Sequence, residues 1–247
     1  MSTIKRAHSR QWNELRPVKI TPSVSEYAEG SALVEFGKTK VICTASYDSK
    51  PPSWLQGSGR GWVTAEYGMI PRSTETRMKR DKAATGGRTQ EISRLIGRSL
   101  RSCVDLKLMP EKQLIIDCDV LNADGGTRTA SITGGFVALV FALKKLKDLG
   151  EIKNFPILHY VSAISVGLKK DQVFLDLDYE EDSQISTDMN FVMTSEKKFI
   201  EIQGTAEDQA FSKQEFLQMM DLAEQGCVQL FEEQQKILSG ILPMKQV

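Results

Sequence analysis

The chain is predicted to fold as an α+β protein, with helices packed on mixed sheets. Three features of its 247 residues carry that expectation. Short runs alternate apolar and polar residues, two long segments repeat apolar residues at helical spacing, and the order strands-then-helix occurs twice. An apolar content of 40% is enough for a sizeable buried core.

Ala32, Val34 and Phe36 alternate with polar neighbours, Gly37-Lys38 turns the chain, and Val41, Cys43 and Ala45 resume the alternation, which predicts a hairpin. Residues 49–61 hold three glycines and two prolines and read as a loop, followed by a strand near 62–67. The stretch 72–87 has no apolar period and is expected to be mobile or ordered by a partner. Ile92, Leu95, Ile96, Leu100 and Cys103 then recur at helical spacing, so this helix buries one side and offers Arg94, Arg98 and Arg101 from the other. Leu114, Ile116, Cys118 and Val120 predict a strand with one well-buried face, where Asp117 or Asp119 would pair with a nearby arginine.

Residues 130–149 form a core helix, apolar almost all round, with Lys144, Lys145 and Lys147 complementing its C-terminal dipole. Residues 151–156 read as a connection between two sub-regions, 10–143 and 157–224, within a single domain over 1–247. In the second, strands are expected at 160–168, 173–178, 188–194 and 199–203. A capping box, Ser212 with Glu215, opens a last helix whose stripe is Phe216, Met219, Met220, Ala223, Cys227, Leu230 and Phe231.

Thirty-two basic and 32 acidic residues cancel, so the chain lacks the overall positive excess of a protein that coats nucleic acid. The distribution is uneven. From Arg72 to Arg101 nine lysines and arginines face Glu75, Asp81 and Glu91, whereas Asp171 to Asp188 holds seven acids and no base. A solvated helix face and an acidic hairpin would produce both blocks, and so would a polyanion channel beside a metal-binding acidic cluster. No apolar run reaches the roughly 18–20 residues of a membrane span, and the N-terminus is too polar for a secretory signal, so a cytoplasmic location is expected. Cys43, Cys103, Cys118 and Cys227 lack CxxC or Cys/His spacing and read as small core residues.

Gly125-Gly126-Thr127-Arg128 sits where the strand ends and the core helix begins. Two glycines let backbone N–H groups converge, the helix N-terminus adds partial positive charge, and Arg128 can fork onto phosphate oxygens. A tight turn with a surface arginine is the plainer account of the same residues. Asp182 and Asp188 flank a polar connection that can bring their carboxylates together, as Mg²⁺ or Mn²⁺ requires; solvating acids at a hairpin tip are the alternative. Glu180 and Glu181 are expected to be solvated bystanders. Neither His8 nor His159 stands in a catalytic context. The absence of GxxxxGK[ST], of GxGxxG before a helix and of GxSxG disfavours nucleotide-driven, dinucleotide and acyl-transfer chemistry.

Longer blocks are more specific. Leu15-Arg16-Pro17-Val18, the run from Gly57 to Met69, Gly87-Arg88-Thr89-Gln90-Glu91-Ile92, Asp117-Cys118-Asp119-Val120, the run from Asp124 to Ser131, Glu180-Glu181-Asp182, Asp188-Met189-Asn190 and Gly204-Thr205-Ala206-Glu207 together resemble the ribonuclease PH family, in order and across 5–238. The resemblance implies a β-α-β core of the ribosomal-protein-S5-domain-2-like type, assembled as dimers into a homohexameric ring. It implies a phosphate-dependent 3′→5′ exoribonuclease that trims tRNA precursors, releases nucleoside diphosphates and runs in reverse as a nucleotidyltransferase, with no DNA or membrane partner. By the same likeness Arg88, Gly126, Thr127 and Arg128 bind inorganic phosphate, and Asp182 and Asp188 form a catalytic pair holding Mg²⁺ or Mn²⁺. Arg72, Arg77 and Arg80 match the family's arginine-rich stretch, for RNA, subunit contacts or both. Residues 207–211 lack the glycine and proline expected of that turn, and 80–87 read as a variable loop. The rivals are a non-catalytic RNA-binding ring subunit, against which Asp182, Asp188 and Arg128 speak, and phosphorolysis of other structured RNA 3′ ends.

Overall fold

The computed structural model describes residues 6, 9–80, 86–207 and 210–242. His8, most of the 80–87 loop and residues 208–209 of the 207–211 turn lie outside the described residues. The alternating runs become paired strands. β1 (Val18–Pro22), β2 (Gly30–Phe36) and β3 (Thr39–Asp48) form an antiparallel meander in which Val34 faces Val41 and Ala32 faces Cys43. β4 (Trp62–Met69) runs parallel to β5 (Gln113–Asn122), and a parallel pair needs a crossover, which α1 (Gly87–Ser102) supplies. The sheet order is therefore β1-β2-β3-β5-β4.

α2 (Thr127–Asp148) follows β5 and lies between this sheet and a second one. Its 22 residues are long and apolar enough to span a membrane by composition, longer than the apolar run suggested, yet most are buried inside the protein. Ile132, Phe136 and Leu139 are fully buried, and each such side chain stabilises by about 1.5–3 kcal/mol relative to exposure. Gly134 permits close approach: a Cβ there would lie 2.6 Å from Val34 Cγ1.

The second sheet is antiparallel throughout, in the order β7-β6-β8-β9, from β6 (Val161–Lys169), β7 (Gln172–Leu175), β8 (Thr187–Thr194) and β9 (Phe199–Ala206). A single helical turn, α3 (Tyr179–Asp182), stands between β7 and β8. α4 (Lys213–Leu238) opens with the Ser212/Glu215 capping box and packs on β6 and β7. Gln234 Nε2 donates to the carbonyls of Thr133 (3.0 Å) and Val161 (2.9 Å), tying α4 to α2 and β6.

Three expectations are revised. β7 stops at Leu175 rather than 178, because Asp176 takes a left-handed φ of 53° to meet an arginine from the N-terminal segment. Arg101 is not presented to solvent: its guanidinium lies 4.3 Å from the Trp62 ring centroid and donates to Val63 O at 2.8 Å. Asp117 borders Asp119 and Glu66, and burial together with those two like charges raises its pKa. The four cysteines are buried free thiols, as expected.

Candidate active site

The turn between β5 and α2 is built from left-handed glycines, Gly125 at φ 75° and Gly126 at φ 64°. Gly126 is the N-cap and has no side chain, so no cap occupies the N–H groups of the first turn at Thr127, Arg128 and Thr129. The turn is held from behind. Thr39 Oγ1 donates to Gly125 O at 2.6 Å and accepts from Asp124 N at 3.0 Å, while Arg16 Nη1 donates to Asp124 O. Tyr67 Oη lies 2.8 Å from Thr127 Oγ1, which orients that hydroxyl at the helix start. Burial raises the Tyr67 pKa, against the opposing pull of the Thr127 hydrogen bond and of Arg88 and Arg128. Arg128 is half-buried, with Nη1 donating to Gln203 Oε1 at 3.1 Å and 3.9 Å from Glu91 Oε1.

The acidic side is equally fixed. Asp178 caps α3, accepting from Glu181 N at 2.9 Å, while Glu181 Oε2 accepts from Asp178 N at 3.1 Å. Glu181 is not a solvated bystander: it is 2% exposed and takes Arg6 Nε at 2.8 Å and Arg10 Nη2 at 3.1 Å. The reason is local. In a helical turn the second and third of three adjacent acids point apart, so Glu181 turns inward and Asp182 outward. Asp188 lies on β8 opposite Gly167 and Thr205, and alternation sets it on the face away from buried Thr187 and Met189. Gln203, opposite Asn190, shares that face and contacts Arg128.

The two sides meet at Asp182. Its pKa is raised, first by neighbouring protein and then by Asp188, with Arg88 and Arg128 pulling it back and Glu207 adding repulsion. Charges from α1, α2, α3, β8 and the end of β9 thus converge, including Arg88, Arg128, Asp182 and Asp188, all singled out in the sequence. Among the described residues no group of three or more His, Cys, Asp or Glu is arranged to hold a metal. Two carboxylates that repel each other still fit a hard cation that takes its other oxygens from water and phosphate. Arg72, Arg77 and Arg80 are exposed in the segment after β4, Arg72 Nη1 donating to Glu75 O at 2.9 Å.

A group whose folded pKa is raised destabilises the fold above that pKa and stops doing so below its unfolded value. In chelator-containing buffer, Asp182→Asn is therefore expected to raise Tm at neutral pH. The gain should vanish as pH falls below the ordinary aspartate range; a calorimetric series that shows a constant gain, or none, contradicts it.

Two family descriptions match this chain: the 3′ exoribonuclease family, domain 1, over residues 14–144, and domain 2 over 159–226. A curated relative, ribonuclease PH of Bdellovibrio bacteriovorus, is 66% identical over 236 residues, covering 96% of this chain and 97% of the relative. The chain belongs to the ribonuclease PH family. As a ribonuclease PH-type chain it is a phosphate-dependent 3′ exoribonuclease of the nucleotidyltransferase class. The ribonuclease PH-like fold extends to distant solved structures. Rice Rrp46 matches with a TM-score of 0.76 at 20% identity, over 94% of this chain and 100% of that one. A chain of the Archaeoglobus fulgidus exosome with RNA bound to the active site matches with a TM-score of 0.77 at 21% identity, over 92% of each.

The sequence assigned no individual role to Arg6, Arg10, Arg16, Tyr67, Asp176 or Gln203, although Arg16 and Tyr67 lie within the blocks that carry the resemblance. Two acids bracketing a leucine, Asp176-Leu177-Asp178, at the end of an apolar strand were the one available signal of a buried cation partner.

Proposed function

We propose that this chain trims the 3′ ends of tRNA precursors by seating inorganic phosphate at Arg88, Gly126, Thr127 and Arg128 and the terminal phosphodiester beside Asp182 and Asp188. The supporting observation is the convergence of two arginines and two aspartates on one spot, from four separate elements. A phosphate oxygen attacks the terminal phosphorus, a P–O–P bond forms, and the bond to the penultimate 3′ oxygen breaks. The products are a nucleoside diphosphate and an RNA one nucleotide shorter with a free 3′ hydroxyl; the reverse reaction adds a nucleotide. Phosphate is already a nucleophile, so no activated serine or histidine is needed, and positioning with charge compensation is the whole task. Two like unit charges about 4 Å apart repel by roughly 4 kcal/mol at an effective dielectric near 20, which the arginines offset. Mg²⁺ or Mn²⁺ held by Asp182 and Asp188 supplies further charge neutralisation when bound.

Incubating 3′-extended tRNA with and without phosphate tests this reading: nucleoside diphosphates appear only with phosphate. Monophosphates released without it refute phosphorolysis, and product mapping on total cellular RNA that finds trimming confined to ribosomal or messenger ends refutes the tRNA assignment. The protein works in the cytoplasm as a homohexameric trimer of dimers, with Arg72, Arg77 and Arg80 along the RNA path; the fold shared with an archaeal exosome core supports a ring. Light scattering that returns a mass other than six chains counts against that assembly.

A further inference from the structure

The geometry points to Arg16 as a positioning residue that sets the spacing between the two halves of the active site. This rests on the reading of Gly126–Arg128 as the phosphate seat. Arg16 is 3% exposed. One edge of its guanidinium forks onto Asp176, with Nε to Oδ2 at 3.0 Å and Nη2 to Oδ1 at 2.7 Å, and its backbone N–H adds a third bond to Oδ2 at 2.7 Å. The other edge reaches the opposite half: Nη1 donates to Asp124 O, and Nη1 and Nη2 approach Gly125 O at 3.5 Å. One planar group therefore bonds the chain just before Thr127 and Arg128 and the chain just before Asp178, whose side chain caps the turn carrying Asp182.

A second observation is independent of those bonds. The diglycine turn lies directly on the acidic segment, since a Cβ at Gly125 would fall 2.5 Å from Leu177 O and 2.7 Å from Asp178 C. A Cβ at Gly126 would fall 2.9 Å from Arg16 Nη2. The glycines thus serve contact between the halves as well as the seat itself. In-line transfer tolerates little error, a 1 Å misplacement costing on the order of a hundredfold in rate. A lysine keeps the charge and one bond to Asp176 but has no second edge for the turn.

The test is steady-state kinetics on Arg16→Lys and on Arg16→Gln/Asp176→Asn, the second leaving no buried charge unpaired, at a temperature where circular dichroism shows each folded. The expected result is a kcat at least tenfold below wild type, with KM for phosphate and for RNA within threefold, since each half stays intact while their separation changes. A wild-type kcat in either folded variant overturns the inference. So does a raised phosphate KM at unchanged kcat, which would make Arg16 part of the seat alone. Arg128→Ala separates the two readings: if it leaves phosphate kinetics unchanged the seat is wrong, and if it cripples them while the Arg16 variants run normally only the positioning role fails.

Discussion

Arg128→Ala is expected to lower phosphorolysis by about 10²–10³-fold, the usual cost of removing one donor aimed at developing charge. The loss should be almost purely catalytic. Arg128 is half-buried, with one neutral hydrogen bond to Gln203 and a long contact to Glu91, so its removal is expected to change stability by no more than about 0.5 kcal/mol. Asp188→Ala should be as inactive for the opposite electrostatic reason. It removes a repulsion on Asp182 while taking away half of the acidic pair. Nucleoside diphosphate release measured beside thermal melts decides both. An Arg128→Ala enzyme within threefold of wild type, or one whose inactivity tracks a collapsed melt, would remove Arg128 from the mechanism.

Asp176→Ala should have the largest effect on stability. Burial alone would push the Asp176 pKa up, but the Arg16 charge and hydrogen bonds, with Arg10 behind them, outweigh it and hold the carboxyl below its ordinary value. Removing one partner of a buried pair leaves the other charge uncompensated and costs about 3–5 kcal/mol. For a chain of this size that corresponds to a fall in Tm of roughly 10 °C. The sign of the pH dependence follows from the depressed pKa. Asp176 stabilises fully above its unfolded pKa, and that contribution is lost as pH falls through the folded value. The gap between wild type and variant should therefore be constant around neutrality and close in strong acid. A gap that widens on acidification would refute the assignment.

How much of this was legible in the sequence depended on the range over which each signal acts. Strand alternation, the helical stripes and the Ser212 capping box are local, and the structure reproduces them to within a few residues. The parallel pairing of β4 with β5 and the placing of α2 between two sheets depend on which faces meet, which no single segment records. The proposed seat and acidic pair could be named only from the longer ordered blocks around them, since each short motif alone also fits a plain turn or a solvated hairpin tip. Their support was not: Arg16 and Asp176 are 160 positions apart, and Arg6 and Glu181 are 175 apart. Glu181 was misjudged because an acidic run resembles a solvated tip when the arginines that bury it come from the other end of the chain.

That separation orders events in time. A ribosome delivers Arg6, Arg10 and Arg16 at the outset and the acids that neutralise them only after two thirds of the chain has emerged. Non-local contacts are paid for by loop closure before they reward it, so these pairs close late. A nascent or truncated chain can complete the first meander and hold the diglycine turn through Thr39 and Arg16, but it lacks the Leu177–Asp178 segment on which that turn packs and the acid that pairs with Arg16. Pulsed hydrogen exchange during refolding should show protection of the Ala130 amide, which donates to Gly126 O at 3.0 Å, arriving with β6, after β2 and β3. The two halves of the active site are thus joined only once the chain beyond Asp176 is in place.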